Sequence, residues 1–245
     1  MHRAPKGRTQ QRARGRRARA GRPAPGPASA RDSILDAAES LFARKGFDPT
    51  TIKEIGAAAG QNPALLYYYF GSKAELYRAV LSRLMGELVQ RGRARVDAAA
   101  SPVEAIRALV ETQVAFLLAH PNASKLFIRE MVDHEARRGR QVILEMAAGL
   151  FARLCEVIET GQRAGTFRKD LAPRFAAVSV ISQVVYFHLA RPAVGLFYGL
   201  GPDGVGDELV GEFGRHAGEF ALRALTRESG SQRAGEPEPG SRHAG

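Results

Sequence analysis

The chain has 245 residues, of which 44% are hydrophobic and 25% charged, the composition of an ordinary globular protein. No apolar run approaches the roughly 18 residues needed to cross a bilayer. The single cysteine, Cys155, excludes an intramolecular disulfide framework and a cysteine-rich zinc site. These observations exclude a membrane protein and predict a chain that works in a reducing compartment, the cytoplasm.

The formal net charge of +11 is concentrated at the N-terminus, where residues 1–30 hold nine of the 36 basic side chains and no acidic one. This Arg/Pro/Gly/Ala-rich run cannot bury enough apolar surface to fold, so it predicts a disordered basic tail. This segment lacks the apolar stretch of a secretory signal. Two other interpretations of it are a transit peptide and a start codon assigned too far upstream. The Gly/Ser/Pro/Glu-rich residues 228–245 predict a second disordered tail.

Between the tails, apolar residues recur at intervals of three and four with no sustained period of two. This pattern predicts an all-α fold of about nine helices. The first helix carries Ile34 and Phe42 in its buried stripe and ends at Gly46. A long helix is predicted from Ser72, and later start and stop signals predict helices at residues 101–120, 122–133, 173–191 and 205–225, with another long helix that ends near residue 160.

Two short helices follow the first one. Thr51 and Glu54 have the spacing of a capping box, which begins a helix that ends at Gly60. Asn62 then caps a second short helix with Pro63 at its first position, where a missing N–H group is harmless. Two short helices joined by a glycine turn are the components of a helix-turn-helix, whose second helix enters the DNA major groove.

The second short helix ends in the aromatic run Tyr67-Tyr68-Tyr69-Phe70. Three phenols within one and a half helical turns cannot all be buried. At least one hydroxyl is therefore expected to face solvent or a ligand.

Residues 31–77 closely resemble the N-terminal signature of the TetR family. The resemblance is carried by TTIKEIGAAAG at 50–60, LYYYF at 66–70 and SKAEL at 72–76. It implies a DNA-binding domain at 31–77, followed by a helical ligand-sensing and dimerisation domain at 78–227. It also implies a homodimer that binds a double-stranded DNA operator and responds to an unidentified small-molecule effector, with no enzyme activity, cofactor, metal or membrane partner. Repression is the default of the family, with activation as the alternative.

The resemblance also assigns roles to residues. Thr51, Lys73 and the hydroxyl of Tyr67 would hold phosphates, and the exposed face of the helix at 62–68 would read bases. Helix N-termini suit phosphates, and phosphate contacts fix the register in which bases are read. The predicted DNA-binding residues are Thr51, Gln61, Asn62, Pro63, Ala64, Leu65, Tyr67, Tyr68, Tyr69 and Lys73.

Two positions depart from the usual family pattern. Leu65 replaces a small hydroxyl residue, and it either packs on a thymine methyl or turns inward. Gln61 stands where a valine usually follows the glycine. Two further positions stay open: Tyr69 is either a core residue or a DNA contact, and Lys53 is either a solvated charge or close to the DNA backbone.

Past Leu88 the family resemblance weakens, and the segments at 127–131 and 186–192 resemble the CecR type of regulator. Polar groups on apolar helical faces are candidates for a ligand pocket, and each of them has a structural role as its alternative. These candidates are Arg129, Glu130, His134, Gln183, Tyr186 and His188. By family analogy the last two long helices pair with their copies in a dimer, although their apolar faces (Phe175, Val178, Ile181, Val185; Leu209, Phe213, Phe220) equally fit an intramolecular core.

Two other functions compete with this interpretation. Gly199–Gly204 matches a dinucleotide-binding fingerprint as a string, which would indicate an NAD-type enzyme. That motif works between a strand and a helix, and no strand pattern surrounds it here. A DNA-independent helical scaffold is the second alternative, but it would not require the short helices, the glycine turn and the tyrosine cluster.

Overall fold

The computed structural model describes residues 27–201 and 204–226, which form eleven α-helices and one π-helical turn. The helices are α1 (Pro27–Lys45), α2 (Ile52–Ala59), α3 (Pro63–Phe70), α4 (Lys73–Asp97), α5 (Pro102–Ala119), α6 (Ala123–His134), α7 (Arg140–Met146), α8 (Ala152–Arg163), α9 (Pro173–Leu189), α10 (Arg191–Phe197) and α11 (Asp207–Leu225), with the π-turn (Ala147–Phe151) between α7 and α8. The all-α prediction is confirmed. Within these residues, extended pairing is limited to an isolated bridge between Phe167 and Thr226.

The two predicted disordered tails lie outside the described residues, except that residues 27–30 form the start of α1. The predicted boundary of the basic tail at residue 30 therefore falls inside a helix.

The N-terminal head consists of α1, α2, α3 and the start of α4. Its core contains Ile34 and Phe42 from α1, Ile55 from α2, Leu66 from α3 and Tyr77 from α4, all of them almost fully buried. Phe42 packs edge-on against the Tyr77 ring with centroids 5.1 Å apart. These contacts fix the two short helices, which are too short to be stable alone.

The C-terminal body is built around α5, which packs against α4, α8, α9 and α11. Ile106, Leu109 and Phe116 of α5 are each at most 1% exposed. Helix α4 belongs to both parts of the molecule, because it packs on α1 and α3 of the head and on α5 and α7 of the body.

The described residues form two α-helices more than the predicted nine or so. The π-turn divides the long helix predicted to end near residue 160 into α7 and α8, and α10 forms beyond the helix predicted at 173–191. Pro192 occupies the first turn of α10, where its ring and missing N–H group prevent α9 from continuing. Helices α9 and α10 meet with a bend of 76°, and together they have the length and apolar composition of a membrane span. No single helix of the described residues passes that test.

Candidate nucleic-acid interface and ligand cavity

Helix α3 is capped in the way the sequence predicts and presents Tyr67 and Tyr68 to solvent. The Asn62 side chain accepts a hydrogen bond from the backbone N–H of Ala64 at 2.9 Å, and Pro63 occupies the first turn. Tyr67 is 56% exposed and Tyr68 is 81% exposed. Asn62 and Ala64 are exposed beside them. This solvent-exposed face is the one that the sequence predicts to read bases.

The turn between α2 and α3 depends on two glycines. Gly60 has a φ of 65°, in the left-handed region that favours glycine. A Cβ atom on Gly56 would lie 2.9 Å from the carbonyl oxygen of Gln61. The turn therefore folds back closely on α2, and a side chain at Gly56 would displace it.

Three predicted contact residues lie on the inner side of this surface. Leu65 is half-buried against the core, which favours the inward-turned alternative. Gln61 Nε2 donates a hydrogen bond to Ser33 Oγ of α1 at 3.4 Å. The half-buried Tyr69 ring packs edge-on against Tyr68, with centroids 5.2 Å apart. These residues hold α3 in place behind the exposed tyrosines.

The ammonium group of Lys73 points into the head, whereas the predicted phosphate contact requires it to face solvent. Its Nζ donates hydrogen bonds to the backbone carbonyls of Phe47, Asp48 and Thr50 at 3.0, 3.2 and 2.9 Å. The ammonium group also lies 4.3 Å from the centre of the Phe47 ring. An ammonium has three N–H donors, and all three are used inside the head. The geometry therefore supports a bracing role between α4 and the loop before α2.

The predicted capping box of α2 is present and is linked to α1. Glu54 accepts hydrogen bonds from the backbone N–H of Thr51 at 2.9 Å and from its hydroxyl at 3.1 Å. Lys45 Nζ lies 2.5 Å from the Glu54 carboxylate. The hydrogen bond from Lys45, followed by those from Thr51, lowers the pKa of Glu54 to about 2. Both donors of Thr51 are thus used by Glu54, whose carboxylate already occupies the start of the helix, and the phosphate contact of Thr51 stays a prediction.

Arg31 adds a positive charge that the sequence analysis did not single out. It is exposed near the start of α1, and its guanidinium lies 5.3 Å from the centre of the Phe70 ring at the end of α3. A cation at this place suits the DNA backbone. Its neighbour Phe70 is 39 residues away in the sequence, so no local pattern reveals the contact.

Three of the predicted ligand residues lie at the junction between head and body. Arg129 donates to the carbonyls of Ala43 and Arg44 at the C-terminal end of α1, at 3.3 and 3.4 Å. Glu130 is 1% exposed and accepts a hydrogen bond from the Gly139 N–H at 2.5 Å. The His134 ring packs edge-on against Tyr77, 6.2 Å away. These side chains join α6 to the head.

Burial and the nearby carboxylate of Glu130 raise the pKa of the Tyr77 hydroxyl. Tyr77 therefore stays neutral at the centre of this junction.

The other three predicted ligand residues are dispersed over the body. Gln183 Nε2 donates to the carbonyl of Ser179 one turn earlier at 3.0 Å, and Tyr186 is 70% exposed. His188 is buried beside a concavity of about 290 Å³ that Lys125 and Arg191 also line. Burial, followed by the charges of Arg191 and Lys125, lowers the pKa of His188. The six residues therefore do not form one site.

A cavity of about 350 Å³ lies between α4, α5, the π-turn and α9, and is called here the α4–α9 cavity. Its lining side chains are largely apolar, as is typical of small-molecule sites. They are Leu88, Leu109, Gln113, Phe127, Ile143, Met146, Ala147, Leu150, Phe151, Val178, Ile181, Ser182 and Val185. None of the six predicted ligand residues is among them. The sequence gives no local signal for this cavity, because its apolar lining residues look like ordinary core residues of several separate helices.

The π-turn connects this cavity to α4 by close backbone contacts. A Cβ atom on Gly92 of α4 would lie 2.7 Å from Leu150 Cδ1, and one on Gly149 would lie 2.7 Å from Val89 Cγ1. Leu150 thus lines the cavity and also rests on the backbone of α4. π-Turns within helices occur frequently at functional sites.

The comparisons with known proteins agree with this arrangement. Residues 34–80 match the family model for bacterial regulatory proteins of the tetR family, and residues 102–203 match a tetracyclin repressor-like C-terminal domain. The chain belongs to the TetR family. The HTH-type transcriptional repressor NicS of Pseudomonas putida is 29% identical over 200 residues, covering 80% of this chain and 92% of NicS.

Solved structures of TetR-type regulators share the fold. A putative transcriptional regulator from Saccharomonospora viridis in complex with choline aligns with a TM-score of 0.65 at 20% identity, covering 82% of this chain and all of that one. FadR from Bacillus subtilis in complex with stearoyl-CoA aligns with a TM-score of 0.60 at 20% identity, covering 79% and 98%. The predicted resemblance to the CecR type stays a prediction.

The dinucleotide-enzyme alternative is not supported. Gly199 and Gly201 have positive φ angles of 70° and 78° and follow helix α10 in a loop. The fingerprint requires a preceding strand, and the described residues before it are helical. The TetR relatives are transcriptional regulators rather than enzymes.

Proposed function

We propose that this protein is a homodimeric repressor that binds a palindromic DNA operator through α3 of each copy and releases it when a small molecule fills the α4–α9 cavity. The observation that carries the proposal is the capped helix-turn-helix with its exposed tyrosines, joined by a single long helix to an apolar cavity. In this proposal, residues 31–77 form the DNA-binding domain, the remainder to about residue 227 forms the sensing and dimerisation domain, and the protein acts on DNA in the cytoplasm.

The face of α3 that carries Asn62, Ala64, Tyr67 and Tyr68 would enter the major groove. The Tyr67 hydroxyl and the first turn of α2 at Thr51 would contact phosphates. Arg31 extends this surface with a positive charge at the end of α3. Phosphate contacts of this kind set the register, and the groove contacts select the sequence.

Dimerisation would use the outer faces of α9 and α11. Phe175 is 78% exposed, Tyr186 70% and Phe220 58%, and large exposed apolar side chains that cluster on a surface indicate a binding interface. Phe175 and Phe220 also line a groove of about 560 Å³ between the two helices. Two heads fixed in this way must stand about 34–36 Å apart, or a multiple of that distance, to reach successive major grooves.

Helix α4 would transmit the effector signal. Leu88 lines the cavity, Val89 and Gly92 contact the π-turn, and Tyr77 lies in the core of the head. A molecule in the cavity would favour a different position of the π-turn against α4 and so change the separation of the heads. Coupling between two sites typically amounts to about 1–3 kcal/mol, a change of roughly 5- to 150-fold in operator affinity.

The test is binding-site selection from genomic DNA with the purified full chain, followed by titration of the selected fragment. We expect a palindromic site that is bound by a dimer, and a Tyr67→Phe variant that binds it more weakly without a change in melting temperature. A Val132→Ala variant is a control, because Val132 is 72% exposed and belongs to α6, which is not part of the proposed DNA surface. Failure to select any sequence would contradict the proposal.

A further inference from the structure

Gln113 of α5 is a polar side chain buried in the wall of the α4–α9 cavity. It is 5% exposed, and its Nε2 donates a hydrogen bond to the carbonyl of Ile181 on α9 at 3.0 Å. A carbonyl oxygen accepts but cannot donate, so this contact fixes which end of the amide faces α9. The other end, Oε1, is buried and has no hydrogen-bond partner among the described protein atoms. It meets a donor in the cavity once the amide turns toward the lumen.

The rest of the cavity wall contains little that a polar ligand needs. Ser182 is the other polar residue in the lining, and it is exposed at the rim, with its hydroxyl donating to the carbonyl of Ser179 at 3.3 Å. Among the described residues, no charged side chain lines this cavity. A charged group buried there would lose its hydration without gaining a counter-ion.

We infer that the effector is an uncharged, largely apolar molecule with one O–H or N–H group that donates a hydrogen bond to Gln113 Oε1. This inference rests on the proposed function and names the class of molecule that the cavity accepts. A buried acceptor without a partner is costly, so a ligand that supplies the donor is favoured over one of the same shape that lacks it. The apolar wall provides most of the affinity, and Gln113 provides the selectivity.

The first experiment compares four molecules with the same hydrocarbon chain on the wild-type protein by titration calorimetry. Decan-1-ol supplies a neutral donor, its methyl ether lacks the donor, decanoate is an anion and decyltrimethylammonium is a cation. We expect the alcohol to bind about tenfold more tightly than the ether, as one hydrogen bond allows. The two ions should bind on the order of a hundredfold more weakly than the alcohol, or not at all. The inference is overturned if an ion binds as tightly as the alcohol, if the ether equals the alcohol, or if neither neutral molecule binds at its solubility limit.

The second experiment assigns the preference to Gln113. In a Gln113→Met variant the ratio of alcohol to ether affinity should fall to about one, because the acceptor is gone. Loss of the contact with Ile181 would change both affinities together and leave their ratio unaltered. Ser182→Ala is the matched control, and its ratio should stay at the wild-type value. A Gln113→Met protein that keeps the wild-type ratio contradicts the inference, and if this variant does not fold, the wild-type series decides alone.

Operator binding is measured on the same preparations, so that two different failures are distinguishable. A protein that binds its operator but prefers decanoate refutes the inference and leaves the proposed function intact. A protein that shows the expected ligand preferences but selects no DNA refutes the proposed function instead.

Discussion

Helix α3 presents polar side chains to solvent, whereas the α4–α9 cavity is lined by side chains that face the interior. Helix α3 exposes Tyr68 by 81% and holds its apolar residues Leu66 and Phe70 in the core. The cavity is enclosed by apolar side chains with one buried amide, that of Gln113. A DNA groove is large and charged, so the side chains that contact it must be exposed on the protein surface. A small molecule is recognised by enclosure, so its site is assembled from helices distant in the sequence.

Two phenylalanines, one in the head and one in the body, give the largest expected difference between a buried and an exposed side chain. Phe42→Ala should lower the free energy of unfolding by about 3–5 kcal/mol, because Phe42 is fully buried between the rings of Phe47 and Tyr77. Phe175→Ala should leave it nearly unchanged at low protein concentration, because Phe175 is 78% exposed. Chemical denaturation of both variants measures the difference, and equal losses would contradict the assignment of Phe175 to an outer face.

The dimer contact can be broken at the same exposed face. Phe175→Glu combined with Tyr186→Glu should give folded monomers at concentrations where the wild type is dimeric, since a buried unpaired charge opposes association. Sedimentation velocity and circular dichroism measure the two properties.

Phe213→Ala is the control for this experiment. The Phe213 ring stacks on Phe187 with centroids 3.9 Å apart, so its loss should lower the melting temperature of the fold. A double-glutamate variant that remains dimeric would exclude this face as the interface.

Variants of Lys73 and Tyr67 distinguish a residue that stabilises the head from one that contacts DNA. Lys73→Ala should cost about 1.5–3 kcal/mol of stability for hydrogen bonds to a charged group, and the salt dependence of operator affinity should keep its slope. Tyr67→Phe should cost about 0.5–1.5 kcal/mol of operator affinity with no loss of stability. Thermal melts and a salt series measure both variants. A Lys73→Ala slope that is flatter by about 0.9 would show that Lys73 neutralises a phosphate after all.

His188 gives a smaller effect that depends on pH. Because burial lowers its pKa in the folded protein, the unfolded chain binds a proton at His188 more readily, near pH 6.5. The stability tied to neutral His188 is therefore present above this pH and is lost as the pH falls below it. His188→Leu should have a shallower decline of melting temperature between pH 7 and pH 5 than the wild type. Parallel curves for the two proteins would contradict this role.

Much of the head could be predicted from the sequence because its signals are local. The capping residues Thr51 and Asn62, the turn residue Gly60 and the tyrosine run at 67–69 act within a few residues of the chain. Such interactions are the same wherever the helix lies. The sequence left Leu65 open between two positions. The hydrogen bonds of Lys73 inside the head were not predictable, because the loop carbonyls that it contacts are more than twenty residues away.

The sequence by itself determined that the chain is all-α, where most helices begin and end, and which short helix carries a run of exposed tyrosines. The tertiary structure alone decided where the α4–α9 cavity lies. It separated Arg129 and Glu130 from Tyr186, and it brought Gln113, Ile181 and the π-turn into one wall. The physical reason is that caps and amphipathic periods are short-range properties of the chain, whereas a cavity exists where several helices fail to fill the space between them, and that depends on how distant segments pack.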